Sequence, residues 1–195
     1  MPNIDLLAMH KLFLQNHIKP GGTVADFTMG NGHDTAWLAD AVGEGGHVYA
    51  FDIQTQALEH TRARLTEAGL IDRCTLICDS HANAANYIKE PICAGVFNLG
   101  YLPGGDRTKT TLCASTKIAV ETAISLCAKD GIILIAVYPG HEEGTREGEM
   151  LDSMLAALDH RSFSVSRLRI INSPTSPFFF AVERHDVERH DVERH

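Results

Sequence analysis

Two short stretches of the sequence combine residue types that can bind a cofactor and a substrate. The first, residues 26–35 with the sequence DFTMGNGHDT, contains two glycines flanked by acidic residues. The second, residues 98–103 with the sequence NLGYLP, begins near the end of the apolar run 94–99. A glycine turn that leads into a helix offers backbone amides to a nucleoside-bearing ligand. Since an asparagine at a strand end offers a fixed acceptor to an amine, the pair predicts a cofactor-dependent reaction at a nitrogen.

Acidic residues follow the predicted strands at intervals that suit a nucleoside cofactor. Asp52 closes the second predicted strand about 20 residues after Gly32, where an acidic residue accepts hydrogen bonds from ribose hydroxyls. Asp79 follows the third strand, at the place of adenine-binding acids in methyltransferase-like domains. Asp34 lies in the first helical turn, where its carboxylate suits the ammonium of a methionine moiety and would repel a pyrophosphate. The cofactor contacts that this pattern predicts are Asp26, Gly30, Gly32, Asp34, Asp52 and Asp79.

A nicotinamide-binding domain is an alternative, because it has the same glycine turn and the same acidic residue. In the pattern that starts at Gly30, the third glycine position holds Thr35, where the dinucleotide fingerprint requires Gly or Ala for close helix packing. The sequence therefore favours S-adenosylmethionine. For Asp34 and Ser80, capping of a helix N-terminus remains open beside the cofactor role.

The reaction site is predicted at the end of the fourth strand, where ligands bind in open α/β sheets. The side-chain oxygen of Asn98 and the carbonyl of Leu99 can hold an amine with its lone pair toward a methyl group. Such a displacement needs alignment and proton removal more than acid catalysis, because the leaving thioether is neutral. Tyr101 is predicted to stack on a base, and His141 to accept a proton or contact the base. The alternatives are a turn residue packed on the sheet for Tyr101 and a helix cap or loop contact for His141.

Strand-like and helical segments alternate along the chain, which predicts an α/β domain with a mostly parallel sheet. The final two strands are expected to form an antiparallel pair through the turn 172–177. The predicted strands are 23–27, 47–51, 74–78, 94–99, 132–137, 163–171 and 178–183. The predicted helices are 4–18, 33–42, 54–68, 115–127 and 142–158.

No internal boundary divides residues 1–185, so we expect one domain there. Residues 186–195 continue a five-residue repeat with few apolar groups, and we expect this tail to be disordered. No metal site is predicted. A zinc site from Cys74, Cys78 and His81 is the alternative, but the two cysteines share one face of a strand, which favours core packing.

Bulk composition narrows the class of protein. With 44% hydrophobic and 22% charged residues, the 195-residue chain suits a globular domain, and no apolar stretch approaches the roughly 20 residues of a membrane span.

The net charge of −8 argues against a general nucleic-acid binder. The arginines at 161, 167 and 169 leave a local basic rim open, with solvated surface charge as the alternative. Five cysteines in mostly apolar surroundings, after a start without a signal-like segment, predict reduced thiols and a cytoplasmic location.

The motifs, taken together, resemble the YtqB/MnmM-type class I methyltransferases, a bacterial family first described as rRNA methylases. Its later members act on the wobble 5-aminomethyl-2-thiouridine of tRNA. The resemblance extends from about residue 4 to 184. The motifs that carry it are residues 26–35, 51–54, 79–83, 98–106 and 138–144, of which the last two are the most specific.

The resemblance implies a Rossmann-like fold with a seven-stranded, mostly parallel sheet and helices on both faces. It implies S-adenosyl-L-methionine as cofactor, the tRNA anticodon region as substrate, and a cytoplasmic homodimer. Asn98, Tyr101 and His141 would face the wobble uridine. The further cofactor contacts that it implies are Met29, Asn31, His33, Gln54, Ser80 and His81.

Three alternatives remain open from the sequence. The acceptor is expected to be the aminomethyl group of a wobble uridine, but rRNA or a small amine would suit the same motifs, because specificity lies in the loops after the fourth and fifth strands. A nicotinamide oxidoreductase is disfavoured by Thr35. A cofactor-binding module without catalysis is disfavoured by the intact motif at Asn98.

Overall fold

Seven strands form one sheet in the computed structural model of the chain, which describes residues 9–100, 113–140, 142–173 and 175–185. Most of the strands are rich in Val, Ile, Ala or Phe; β-branched and aromatic residues pack well on a pleated surface. The strands are β1 (Thr23–Asp26), β2 (His47–Asp52), β3 (Cys74–Cys78), β4 (Ile92–Asn98), β5 (Cys127–Val137), β6 (Phe163–Leu168) and β7 (Phe178–Arg184).

The strand order in the sheet is β3-β2-β1-β4-β5-β7-β6. The first five strands are parallel, and β7 is antiparallel to β6, as predicted. β7 is also antiparallel to β5. The chain leaves β1 toward β2 and β3 and then returns to β4 on the other side of β1. This reversal opens a crevice beyond the carboxyl ends of β1 and β4, where ligands bind in open α/β sheets.

Helices cover both faces of the sheet, which confirms that part of the predicted fold. On one face, Leu14 and Leu38 pack with Val24 of β1 in one hydrophobic cluster. On the other face, Val120 and Leu151 belong to a second cluster built around the β-strand phenylalanines. The helices are α1 (His10–Gln15), α2 (His33–Val42), α3 (Thr55–Glu67), α4 (Cys113–Leu126) and α5 (Glu142–Ala156), with short 3-10 helices at Ile71–Arg73 and His81–Asn86.

The start of β5 differs from the prediction. The strand begins at Cys127 rather than Ile132, because the predicted turn stays beside β4 as an irregularity in the pairing. The register passes from Ile92 opposite Cys127 to Ala94 opposite Ile132. The extra residues are accommodated partly by Asp130, whose φ is 58°.

The edges of the sheet account for two further differences. β6 ends at Leu168 rather than residue 171, because Leu168 is already opposite Phe179, near the start of β7. The prediction that Cys74 and Cys78 both pack in the core was wrong for Cys78. Since β3 is an edge strand, Cys78 is exposed and Cys74 half-buried, and burial raises the pKa of the Cys74 thiol to about 12.

Two predictions concern segments that the structure describes only in part or not at all. The first helix was predicted over residues 4–18, and its described part is His10–Gln15. The predicted disorder of residues 186–195 lies outside the described residues.

Candidate active site

Asp26, the last residue of β1, stabilises the turn that follows this strand through two hydrogen bonds. Its Oδ1 accepts a hydrogen bond from the backbone N–H of Thr28 (3.1 Å), and its Oδ2 accepts one from the hydroxyl of Thr35 (2.7 Å). Asp26 is only 1% exposed, and burial, with the nearby charge of Asp34, raises its pKa to about 7. The predicted cofactor contact of Asp26 therefore needs correction: its carboxylate points into the protein and supports the turn that would contact the ligand.

Helix α3 packs directly against the glycines of this turn. Gly30 and Gly32 have φ values of 49° and 76°, and the hydroxyl of Thr61 donates a hydrogen bond to the Gly30 carbonyl (3.0 Å). A Cβ atom on Gly32 would lie 2.8–2.9 Å from Thr61 atoms, including its Cα. Glycine is therefore required at position 32 both for its backbone conformation and for the close approach of α3.

The side chains between and beside the glycines are turned toward α3 or the core. Asn31 Oδ1 lies 3.0 Å from His60 Nδ1, and the Asn31 carbonyl accepts a hydrogen bond from Arg64 Nε (2.9 Å). His33 Nε2 lies 3.2 Å from an Arg64 guanidinium nitrogen. Met29 is 3% exposed, its N–H donates to the Phe51 carbonyl and its carbonyl accepts from the Gly32 N–H, so Met29 supports the turn and its cofactor contact stays a prediction. Sequence reasoning missed His60 and Arg64, because no motif marks a helix surface that meets a distant turn.

Asp52 is the last residue of β2, and its carboxylate bonds to the turn that follows β1. Its Oδ2 accepts a hydrogen bond from the Gly30 N–H (3.1 Å), and its Oδ1 accepts one from the Gln54 N–H (2.9 Å). Burial raises the pKa of this half-buried carboxyl, although the backbone donors oppose the shift. Two lone pairs remain on a carboxylate with two such bonds, so Asp52 can still accept hydrogen bonds from a diol.

Asp79 and Ser80 organise the loop after β3. Asp79 accepts hydrogen bonds from the Ser80 N–H (2.7 Å), Asn83 Nδ2 (2.9 Å) and the Tyr87 hydroxyl (2.9 Å), and these donors lower its pKa. Ser80 Oγ accepts from the Ala82 N–H (3.2 Å) and caps the 3-10 helix. For Ser80 the capping role that the sequence left open is therefore present.

His81 lies under the site rather than on its rim. It is 9% exposed, its Nδ1 lies 3.1 Å from the Phe27 carbonyl, and its ring meets Phe97 edge-on. Because a carbonyl only accepts, Nδ1 carries the hydrogen in this contact. Burial lowers the pKa of His81, so a neutral ring is favoured, with Nε2 left as an acceptor.

Asn98 and Asp34 meet in the crevice although they are 64 positions apart. The Asn98 N–H donates to Thr28 Oγ1 (2.7 Å), and Asn98 Nδ2 donates to Asp34 Oδ2 (2.9 Å). The other oxygen of Asp34 lies 3.5 Å from His10 Nε2 and 3.7 Å from Lys11 Nζ. Asp34 does not cap α2, which begins after Gly32 without a side-chain cap. The capping alternative for Asp34 is therefore wrong.

Two of the three residues predicted to face the acceptor lie outside the described residues. They are Tyr101 and His141, whose roles stay predictions. The neighbouring Leu99 is 1% exposed, and its N–H donates to the Ala136 carbonyl on β5 (2.9 Å). The described part of the acceptor site is therefore Asn98 and the groups that hold it.

Two kinds of feature are absent from the described residues. No group of three or more His, Cys, Asp or Glu side chains there is arranged to hold a metal ion. No described helix is long and apolar enough to cross a membrane.

The sequence and fold of the chain are similar to those of known proteins. The sequence profile of the family described as "Putative rRNA methylase" matches residues 48–183, more than half of the chain. The chain belongs to this rRNA methylase family. A curated relative, the Arabidopsis thaliana "tRNA (mnm(5)s(2)U34)-methyltransferase, chloroplastic", is 34% identical over 170 residues, which are 82% of this chain. The match covers 62% of that relative, so this chain spans less than two thirds of its length.

Solved structures give the same assignment. A "putative rRNA-methylase" from Clostridium thermocellum is 39% identical and superposes with a TM-score of 0.91 over 94% of this chain and all of that one. A "putative methyltransferase" from Streptococcus mutans, in complex with SAH, is 32% identical, with a TM-score of 0.84 over 92% of this chain and 97% of that one. The predicted class I methyltransferase fold is thereby confirmed for this member of the rRNA methylase family.

Proposed function

We propose that the chain is an S-adenosylmethionine-dependent N-methyltransferase that acts on the 5-aminomethyl group of a tRNA wobble 2-thiouridine. The observation that carries the proposal is the position of Asn98 at the crevice between β1 and β4, where Thr28 and Asp34 hold its backbone and its amide. The activity for which the Arabidopsis relative is named supports the choice of acceptor.

The residues around the crevice fit S-adenosylmethionine. The N–H groups of Gly30 and Gly32 are bonded to Asp52 and to the Met29 carbonyl, so the amides available to a ligand are those of the first turn of α2. Asp52 presents a half-buried carboxylate at the end of β2, where ribose hydroxyls would donate to it. Asp34 adds a second carboxylate on the side of Asn98, suited to a cationic amino acid moiety. The cofactor supplies a methyl group on a sulfonium. The remaining predicted contacts, Asn31, His33, Gln54, Asp79 and His81, act in this proposal mainly by shaping the turns.

Asn98 is the residue that would align the acceptor. Its amide nitrogen is engaged by Asp34, so its carbonyl oxygen Oδ1 is left for a donor, and no described residue donates to it. An N–H of the substrate amine bonded to Oδ1 would hold the nitrogen lone pair toward the cofactor. The amine must first lose its ammonium proton, and we propose His141 as the acceptor of this proton and Tyr101 as the stacking partner of the base.

We further propose a homodimer in the cytoplasm. The resemblance to the bacterial family supports both statements, and the five cysteines are free in the structure. Light scattering on the purified protein tests the dimer, because it measures mass independently of shape. A mass near 21.3 kDa would indicate a monomer and contradict the proposal.

The activity is tested with purified protein, S-adenosylmethionine and tRNA from cells that lack the last methylation of the wobble base. Nucleoside mass spectrometry should show a new methylaminomethyl-thiouridine. A matched control is the same tRNA without the aminomethyl group, which should receive no methyl. Cofactor binding without this product would redirect the search to rRNA or small amines, and absence of cofactor binding would remove the methyltransferase proposal.

A further inference from the structure

Helix α1 contains none of the sequence motifs, yet two of its side chains lie next to Asp34 in the candidate active site. His10 is 8% exposed, and its Nε2 lies 3.5 Å from Asp34 Oδ1. Lys11 Nζ lies 3.7 Å from the same oxygen and 5.4 Å from the centre of the Trp37 ring. Because Trp37 is three residues after Asp34 on α2, the lysine is held between a carboxylate and an aromatic face. The α1 residues therefore contact Asp34 on the side opposite Asn98.

The contact between Asp34 and Asn98 decides which way the Asn98 amide points. An ionised carboxylate only accepts hydrogen bonds, so it selects the NH₂ group of the amide and excludes its oxygen. A protonated Asp34 could also donate, and this selection would be lost. Burial alone favours protonation of Asp34, but the His10 ring next to its Oδ1, the hydrogen bond from the Asn98 amide and the charge of Lys11 lower the pKa of Asp34.

We propose that His10, supported by Lys11, is a positioning residue for methyl transfer, which keeps Asp34 ionised and in place so that Asp34 orients the Asn98 amide toward the amine. This inference rests on the proposed function, since it assigns a use to the orientation of Asn98. His10 acts through Asp34 and Asn98. The proposal therefore predicts a loss in the rate of transfer without a comparable loss in cofactor affinity.

The first test measures kcat, KM and cofactor affinity for His10→Ala and His10→Gln. We expect His10→Ala to lower kcat about tenfold or more, because small misalignments of a reacting group are costly. Cofactor affinity, to which Asp34 also contributes in the proposed function, should fall by a clearly smaller factor than kcat. His10→Gln retains a donor of similar reach and should recover most of the rate.

His17 provides the matched control, because it is the same residue type just beyond the end of α1. Its Nδ1 lies 2.7 Å from the Asp130 carbonyl and its Nε2 lies 3.3 Å from Glu183 Oε1. His17→Gln changes the anchoring of α1 without touching Asp34. It should leave kcat near the wild-type value, even where it lowers the unfolding temperature. An equal loss of kcat in His17→Gln and His10→Ala would overturn the proposal, because the helix would then act only as a support.

A double-mutant cycle tests whether His10 acts through Asn98. In an Asn98→Ala background, single-turnover rates followed by mass spectrometry should fall by less than about twofold when His10→Ala is added. The same factor in both backgrounds would show that His10 acts independently and would contradict the proposal.

A measurement without tRNA separates this inference from the proposed function. Carbon-detected NMR of the full chain follows the titration of the Asp34 carboxyl in the wild type, His10→Gln, Lys11→Met and His17→Gln. We expect the Asp34 pKa to rise in His10→Gln and in Lys11→Met, because each change removes a neighbour that lowers it, and to stay unchanged in His17→Gln. A pKa that rises in neither His10→Gln nor Lys11→Met would overturn the link from α1 to Asp34. A wild type that binds cofactor but methylates no tRNA would overturn only the acceptor.

Discussion

The three aspartates around the crevice, two at strand ends and one in the first turn of α2, have different surroundings in the structure. Asp26 is enclosed and bonded to two threonines, whereas Asp52 is half-buried and bonded to two backbone amides at the mouth of the crevice. Asp34 is shared between α1 and Asn98. A substitution at each of these residues therefore tests a different property: stability, cofactor affinity or turnover.

Asn98→Ala should lower turnover by at least about a hundredfold while leaving cofactor affinity nearly unchanged, because it removes the acceptor for the amine and not the nucleoside site. Single-turnover rates and calorimetry measure the two effects. Asn86→Ala is the control, since Asn86 is exposed at the end of a 3-10 helix. A matched loss of cofactor binding in Asn98→Ala would contradict its assignment to the acceptor.

Asp52→Ala should weaken cofactor binding by about tenfold to a hundredfold, because hydrogen bonds to a charged group contribute roughly 1.5–3 kcal/mol. Isothermal calorimetry with S-adenosylmethionine measures the effect. Asp72→Ala, at an exposed position, should leave the affinity unchanged. Unchanged affinity in Asp52→Ala would exclude a ribose contact.

Asp26 should make the stability of the fold depend on pH. Its pKa is about 7 in the folded protein against 3.8 as the ordinary value, so the folded state holds the proton more tightly. The resulting stabilisation is present below pH 4 and is lost as the pH rises through 7, by up to about 4 kcal/mol. Asp26→Asn cannot titrate and still offers an oxygen to Thr28 and an NH₂ to Thr35.

The wild type should therefore lose free energy of unfolding relative to Asp26→Asn as the pH rises from 4 to 8. Urea unfolding at several pH values measures it. Asp40→Asn, at an exposed position on α2, is the control and should follow the wild type. A difference that is constant with pH would mean that Asp26 is ionised throughout this range.

At the scale of the elements, the glycines at the two ends of α2 have similar φ values but different packing. Gly32 precedes the helix and Gly43 follows it, and both have a positive φ, of 76° and 71°. A Cβ on Gly32 would collide with Thr61 of α3, whereas a Cβ on Gly43 would meet nothing within 4 Å. The N-terminal end of α2 is therefore fixed by packing as well as by backbone conformation.

These two glycines form a matched pair for mutation. Gly43→Ala should cost only the backbone strain of an alanine at φ 71° and ψ −171°, about 1–3 kcal/mol. Gly32→Ala should cost about 1–2 kcal/mol for the left-handed backbone and roughly 1–3 kcal/mol more for overpacking against α3, with a loss of cofactor affinity. Urea unfolding and calorimetry compare the variants. A cost of only about 1–2 kcal/mol for Gly32→Ala, with unchanged cofactor affinity, would show that α3 moves aside without cost.

At the scale of the whole molecule, the net charge of −8 limits how the chain can hold an RNA. Each phosphate contact contributes about −0.9 to the slope of log affinity against log salt for a duplex. We expect few such contacts, because basic residues are outnumbered, and the arginine at 167 is already paired with Asp152 at 2.9 Å. Recognition should then depend mainly on the modified base and the loops after β4 and β5.

The affinity for tRNA should therefore fall with salt with a slope shallower than about −4 between 50 and 200 mM. Fluorescence anisotropy with a labelled tRNA measures it. Cofactor affinity, measured at the same salt concentrations, should change little. A slope near −8 would indicate an extended basic interface and would contradict this view of recognition.

Local pattern was sufficient to predict most of the elements. Helix α2 and strand β3 have the predicted bounds, and the antiparallel pair of β6 and β7 was predicted from the alternation of apolar runs and turns. Errors occurred at the start of β5 and at the end of the edge strand β6, where pairing with a neighbour sets the boundary, and in the burial of Cys78 on the edge strand β3. No local signal in the chain reports that neighbour.

The sequence by itself determined the kind of site, because residue types at strand ends carry their chemistry wherever the strands lie. It identified the glycine turn, the acidic strand ends and Asn98. Only the tertiary structure decided which side chains face the crevice. It turned Asp26 inward, placed Arg64 behind Asn31, and joined His10 to Asn98 through Asp34. These contacts depend on strand order and helix packing, which bring together residues that are far apart in the chain.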